Sequence, residues 1–235
     1  MLNTENLNDA QRMAVMHGEG PLLVLAGPGS GKTHTIVQRI FFLLEVRKVA
    51  PEEILVLTFT KEAAVSMQKR FCEEASRVYP VNFGTFHSIF YHILQQSGIS
   101  KYKQLLNEAQ KRHLIYPILK KYSIQTNNRL ICDKETQNLL LNAISLYKNT
   151  GNYEDIREGL PLEWKEVFSE VFRQYEGERE RIRAMDFDDM VYECERLLRE
   201  DQQLRTYWQN RFSHILLDEF QDINPMQYRV IKLLA

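Results

Sequence analysis

A chain of 235 residues with 44% hydrophobic and 26% charged side chains holds enough apolar material for a real core and suits one large domain or two smaller ones. Its formal net charge of −1 gives no bulk attraction to a polyanion, although a local basic face is compatible with it. The scattered cysteines Cys72, Cys132 and Cys194 argue against a disulfide framework and a zinc site, and the polar start MLNTENLNDAQ and lack of any membrane-length apolar stretch point to a cytoplasmic protein.

Three short, nearly continuous apolar runs predict parallel strands covered on both faces: PLLVLA (21–26), EILVLTF (53–59) and HILLD (214–218). Between the first two, Ile36, Val37, Ile40, Phe41 and Leu44 recur at helical spacing, which predicts a βαβ unit. Ala63, Ala64, Met67, Phe71 and Ala75 predict the next helix. VNFGTF (81–86) is a candidate further strand, followed by a helix on Phe86, Ile89, Phe90, Ile93 and Leu94.

From about Ser97 to about Met185 helix-period patterns replace the strand-like runs, separated by polar turns such as QTNN and KNTGN. The clearest stripe is Trp164, Val167, Phe168, Val171, Phe172 and Tyr175. Its first part also carries Lys101, Lys103, Lys111, Arg112, Lys120 and Lys121, either a basic track or ordinary surface charge. A last helix, with Phe187, Met190, Val191, Cys194, Leu197 and Leu198, starts after the N-cap candidate Asp186 and leads back to HILLD. The expected architecture is an α/β domain, a parallel sheet flanked by helices and built from residues 1–96 and 186–235, interrupted by an all-helical subdomain over 97–185.

The stretch AGPGSGKT (26–33) has the spacing of a phosphate-binding loop, G-x-x-x-x-G-K-[ST], between a predicted strand and a predicted helix. Glycines let the backbone curl so that successive N–H groups of residues 26–33 (Ala26, Gly27, Pro28, Gly29, Ser30, Gly31, Lys32 and Thr33, the proline contributing no N–H) face phosphate oxygens, and the helix N-terminus adds partial positive charge. Lys32 would neutralise the β/γ-phosphates and Thr33 would offer a hydroxyl to Mg²⁺. The bland alternative is a glycine-rich turn that ends in a lysine.

Asp218 and Glu219 come directly after the HILL run, where open α/β sheets bind ligands. Alone, such a pair also fits a solvated strand end. With the phosphate loop it reads as a hydrolytic nucleotide site, Asp218 holding Mg²⁺ through water and Glu219 orienting or deprotonating the attacking water.

The motifs LNDAQ (7–11), AGPGSGKT (26–33), LTFTKEAA (57–64), FGTFHS (83–88), DFDDM (186–190) and LLDEFQD (216–222), in this order, resemble the N-terminal half (domains 1A and 1B) of a superfamily 1 DNA helicase of the UvrD/Rep/PcrA type, with a RecA-like fold. The resemblance implies ATP and Mg²⁺ as cofactors, with Gln11 hydrogen-bonding the adenine edge. It implies that Gln221 and Asp222 complete the catalytic motif. It places Thr58, Phe59, Thr60 and Lys61, and then Thr85, Phe86 and His87, along single-stranded DNA.

By residue spacing alone Phe86 fits a core position, Phe59 fits either role, and His87 is the more exposed of the helix pair. Relatives carry arginine immediately after the loop threonine; His34 stands there, which puts the base-side contact in question. The resemblance further implies single-stranded DNA and single-strand/duplex junctions as partners, a second RecA-like lobe (domains 2A and 2B) beyond Ala235, 3′→5′ polarity, and little unwinding by this stretch alone.

Two other classes compete. A self-sufficient small P-loop NTPase would need its own arginines near the phosphates, for which ERERIR (178–183), expected as a solvated helix face, is the arginine-rich candidate. A non-catalytic binding module would not need Lys32, Thr33, Asp218 and Glu219 intact.

Overall fold

The structure, a computed structural model, describes residues 1–97, 104–125, 132–157 and 159–235. Lys101, Lys103 and residues 126–128 of the expected QTNN turn lie outside the described residues. Two compact units are present, one formed by Met1–Ile89, Leu198–Ile223 and Ile231–Ala235, the other by Phe90–Leu197 and Asn224–Val230.

The chain enters the first unit with α1 (Asp9–Met16), started by a reciprocal cap in which the Asn8 side chain accepts from Gln11 N and the Gln11 side chain accepts from Asn8 N. Helix α2 (Lys32–Glu45) comes after the glycine loop, and β1 (Ile54–Thr58) is buried at every residue. Thr60 caps α3 (Lys61–Glu74) by accepting from Ala63 N. Then come β2 (Asn82–Thr85) and α4 (Phe86–Gln96).

The second unit contains β3 (Gln104–Leu105), α5 (Glu108–Gln125), α6 (Lys134–Thr150), α7 (Glu154–Arg157), α8 (Leu162–Lys165), α9 (Phe168–Arg181) and β4 (Ala184–Met185). Asp133 caps α6 at its start, and Gly151, at φ 70°, ends it in the left-handed conformation a glycine supplies without strain. The remaining elements are α10 (Phe187–Glu200), α11 (Gln202–Arg211), β5 (His214–Leu217) and α12 (Pro225–Leu234), which Asn224 caps by accepting from Gln227 N.

The main sheet has the order β2-β1-β5, and both pairings are parallel. A central parallel strand has neighbours on both edges and helices on its faces, which is why ILVLT needs no polar alternation. Val37, Ile40, Phe41, Leu43 and Leu44 of α2 pack with Ile54 and Val56 of β1 and Met67 and Phe71 of α3. Phe41 and Phe71 meet at 5.0 Å between ring centroids. Each such buried side chain contributes roughly 1.5–3 kcal/mol of transfer free energy. The second core gathers Ile115, Leu119, Leu140, Ile144, Trp164, Phe168, Val171 and Tyr175 from α5, α6, α8 and α9.

Three expectations need correction. PLLVLA forms no strand, and Leu22, Leu23, Val24 and Leu25 are 49%, 63%, 51% and 88% exposed. An apolar run becomes a strand only where another strand offers its backbone, and among the described residues none pairs with this one. The Trp164–Tyr175 stripe is not one helix: a turn at Glu166 and Val167 divides α8 from α9, while Trp164, Phe168, Val171 and Tyr175 still face one core. ERERIR is not wholly a solvated face, because Arg179 is buried and donates to Ala184 O at 2.9 Å. Periodicity of apolar residues cannot reveal an arginine turned inward.

Candidate nucleotide site at the end of the sheet

Parallel strands all point their carboxyl ends the same way, so the residues just past β1, β2 and β5 gather at one edge of the sheet. Asp218 N donates to Leu57 O at 2.9 Å, extending the ladder one residue past β5 and setting the acidic pair at that edge. On the opposite side of β1, Thr58 is the register partner of Thr85, which brings the two threonine-containing motifs side by side.

The glycine loop is shaped by two left-handed residues, Gly29 at φ 73° and Gly31 at φ 82°. Gly31 stands at the N-cap of α2 and offers no side-chain cap, so the first N–H groups of that helix are left to an incoming acceptor. A side chain at Gly31 is strained by its φ of 82°, and a Cβ there would also meet Gln11 Nε2 at 2.9 Å, so the Gln11 amide would have to shift. Gln11 explains that closeness: its Oε1 accepts from Asn8 N at 3.0 Å and its Nε2 donates to Ser30 O at 2.9 Å, tying the start of α1 to the loop.

Lys32 opens α2 and reaches Glu219, donating to Oε1 at 3.1 Å and Oε2 at 3.0 Å. The two side chains are 36% and 37% exposed. Gln221 Nε2 donates to Glu219 Oε2 at 2.6 Å. Glu219 itself is left-handed, at φ 50° and ψ 51°, an arrangement that costs a non-glycine residue roughly 1–2 kcal/mol. Asp218 Oδ1 accepts from Glu219 N at 3.1 Å.

These contacts set the electrostatics. The hydrogen bond to Glu219 raises the Lys32 ammonium above its ordinary value. Hydrogen bonds from Gln221 and then Lys32 hold the Glu219 carboxyl below the carboxylate range. Asp218 moves the other way, raised first by burial and then by the charge of Glu219. Two adjacent carboxylates thus differ in proton affinity, and a cation beside Asp218 would relieve what raises it.

The structure brings Gln11, Ser30, Gly31, Lys32, Asp218, Glu219 and Gln221 into one contact network. Ala26, Gly27, Pro28, Gly29 and Ser30 are exposed, and Thr33 and His34 sit half-buried in the first turn of α2. His34 Nδ1 is buried with no hydrogen-bond partner, so the histidine does not present that nitrogen outward.

The candidate nucleic-acid residues divide. Phe59 is 51% exposed and Lys61 is exposed, both available to a ligand. Thr58 is buried, its hydroxyl donating to Thr60 O at 2.8 Å. Thr60 and Thr85 use their hydroxyls to cap helix starts, accepting from Ala63 N and Ser88 N. Phe86 is 2% exposed, with no ring face open to a base, and His87 is half-buried.

Sequence reasoning missed a second charged constellation, in the helical unit. Lys148 Nζ lies 2.5 Å from Asp189, 2.8 Å from Glu176 and 3.5 Å from Asp186, and Arg179 lies 3.2 Å from Asp189. Asn149 donates to Asp188 Oδ1 at 2.8 Å and accepts from Asn224 at 3.0 Å. Asp186 and Asp189 also cap reciprocally, each side chain accepting from the other's N–H. The i, i+3 carboxylates of DFDDM were a usable signal for the cap; nothing in KNTGN marks Lys148 as the cation they surround.

Among the described residues no cluster of metal-ligating side chains stands ready as a self-sufficient ion site, and no helix is long and apolar enough to cross a membrane. A metal here would need ligands from a bound anion or water beside Asp218.

A family model described as UvrD/REP helicase N-terminal domain matches residues 7–235. YjcD of Bacillus subtilis (strain 168), provisionally named an ATP-dependent DNA helicase, is 38% identical over 239 residues, covering 97% of this chain and 30% of that protein. The ATP-dependent DNA helicase PcrA of Staphylococcus epidermidis is 33% identical over 240 residues, covering 98% of this chain and 32% of the relative. PcrA of Staphylococcus aureus is 31% identical over 236 residues with the same coverage. The chain therefore spans about a third of the length of these relatives.

Proposed function

Because the chain belongs to the UvrD/REP helicase N-terminal domain family, we propose that it is the ATP-binding motor region of a DNA helicase that hydrolyses ATP to move on single-stranded DNA and unwind duplexes. The observation that carries this is the joining of the glycine loop to the acidic pair through Lys32 and Glu219. Relatives named ATP-dependent DNA helicases support the activity.

The donor set fits ATP with Mg²⁺. The loop 26–33 offers backbone N–H groups at an uncapped helix start, Lys32 a cation, Thr33 a hydroxyl and Asp218 a carboxylate. Mg²⁺ bound with ATP would neutralise charge that develops on the phosphates. Glu219 orients or deprotonates the attacking water, Gln221 holds Glu219 in place, and Gln11 steadies the loop from behind while keeping one amide hydrogen for the adenine edge. Phe59 and Lys61 form the exposed part of the DNA track, one by stacking and one by phosphate contact. Thr58, Thr60, Thr85, Phe86 and His87 shape that track from beneath or beside it.

In functional terms residues 1–96 and 186–235 form the RecA-like domain 1A and residues 97–185 the helical domain 1B. The reading includes a second RecA-like lobe, 3′→5′ movement, action at single-strand/duplex junctions in DNA repair or recombination, and a cytoplasmic location. Relatives about three times as long as the matched stretch support the second lobe. This stretch alone is expected to bind nucleotide and to unwind little, since arginines supplied in trans are worth about 10³–10⁵ in related NTPases.

The test is fluorescence anisotropy of a labelled single-stranded oligonucleotide with wild type and Phe59→Ala, together with ATP turnover with and without that DNA. DNA binding weakened by Phe59→Ala, with slow turnover, fits the motor reading. Rapid DNA-independent turnover would instead favour a self-sufficient NTPase.

A further inference from the structure

The Lys32–Glu219 pair raises a question that the hydrolytic role of each residue leaves open. Both carboxylate oxygens of Glu219 sit on the Lys32 ammonium, at 3.1 and 3.0 Å. That is the geometry a phosphate oxygen pair would take on the same cation. Gln221 secures the arrangement at 2.6 Å, and the turn Phe220–Asp222, with Asp222 N donating to Glu219 O at 3.0 Å, fixes the backbone from which Glu219 projects. With Lys32 on both oxygens and Gln221 also on Oε2, a water taken by Glu219 would sit beside the lysine, in the space a phosphate needs.

We infer that Glu219 is a built-in competitor for the nucleotide, latching Lys32 and freed to align a water molecule when a triphosphate takes the lysine from it. This inference rests on the ATP-site reading above. The chemistry is an exchange of partners on one ammonium: the Lys32–carboxylate contacts break, Lys32–phosphate contacts form, and no covalent bond changes. Ligands that reach Lys32 must displace the latch, whereas a nucleoside monophosphate that stops short of it does not. The pair is suited to exchange because both side chains are about a third exposed and a water-screened ion pair is weak.

Calorimetric titration with Mg²⁺ and a non-hydrolysable ATP analogue tests the latch on wild type, Glu219→Gln and Glu5→Gln. Glu219→Gln keeps the shape and removes the charge that binds Lys32. Glu5→Gln changes the net charge by the same amount at an exposed carboxylate away from the loop and the acidic pair. The latch predicts that Glu219→Gln tightens the analogue about two- to fivefold, the range of an exposed ion pair, with AMP affinity unchanged and Glu5→Gln close to wild type. Gln221→Ala, which frees the carboxylate without altering it, is expected to tighten the analogue by a smaller factor, and it serves as the reporter should Glu219→Gln not fold.

Unchanged or weaker analogue binding by Glu219→Gln, or an equal gain in Glu5→Gln, would overturn the latch while leaving the ATP site standing. Absence of analogue binding by wild type, or equal binding by Lys32→Ala, would instead overturn the ATP-site reading itself and the latch with it.

Discussion

Lys32 in one unit and Lys148 in the other each sit among carboxylates, and the two are held in opposite ways. Lys32 meets Glu219 with both side chains about a third exposed, at the edge of the sheet. Lys148 is 6% exposed and surrounded by Asp186, Asp189 and Glu176, the first two 3% and 4% exposed. Water screens the first pair and makes it cheap to open. The second has already given up its hydration, so removing one member strands the others in a poor dielectric. A pair meant to exchange a partner and a cluster meant to fix a fold are thus distinguished by burial more than by distance.

The largest expected effect comes from breaking the buried cluster. Lys148→Met should lower unfolding free energy by about 3–5 kcal/mol in urea melts monitored by circular dichroism. A loss below about 1 kcal/mol would mean the cluster is hydrated and the contrast with Lys32 is false.

Gly31→Ala is next. Its positive φ and the 2.9 Å approach of a Cβ to Gln11 predict a loss of roughly 1–2 kcal/mol, together with weakened nucleotide binding. Gln11→Ala combined with Gly31→Ala would recover part of the loss if the contact, and not only the backbone, is responsible.

Asn224→Ala removes the acceptor for Gln227 N and the bond to Asn149 and should cost about 1 kcal/mol, measured in the same melts.

The pH profile sharpens the comparison further. Burial works against both charges of the cluster, yet Lys148 holds the Asp186 carboxyl below its ordinary 3.8, and the three carboxylates, Asp189 foremost, raise Lys148 above its ordinary 10.5. A lowered carboxyl contributes stability that is complete above 3.8 and lost as pH falls; a raised ammonium contributes stability that is complete below 10.5 and lost as pH rises. Asp189 goes the other way, raised to about 7 by burial against the opposing charge of Lys148, so its contribution is complete below 3.8 and lost as pH rises toward 7. Urea midpoints should therefore fall as pH drops below 3.8, decline between 3.8 and about 7, and fall again above 10.5. In Lys148→Met the two outer falls should flatten; unchanged arms would place the titrating groups elsewhere.

Much of the sheet was legible because a parallel strand inside a sheet leaves a continuous apolar trace, as in the fully buried ILVLT and the half-buried HILL, and Asp186 marks a helix start by its side-chain oxygen, whereas α1 and its Asn8 cap were not read from the sequence. PLLVLA has the same trace and forms no strand, since composition reports a tendency to be buried and pairing needs a neighbour. The glycine loop and acidic pair were legible from spacing, and so was the core position of Phe86. That Lys32 holds Glu219 was not, because 187 residues separate them. Neither was the inward turn of Lys148 and Arg179, since a charged residue buried by partners looks in sequence like one exposed to water.

The central claim is that the loop and the acidic pair form a nucleotide site, and Lys32 tests it most directly. Calorimetry with Mg²⁺ and a non-hydrolysable ATP analogue should show saturable binding by wild type, lost at least tenfold in Lys32→Ala, while the variant melts close to wild type because the pair is exposed. Equal binding by the two proteins would contradict the account.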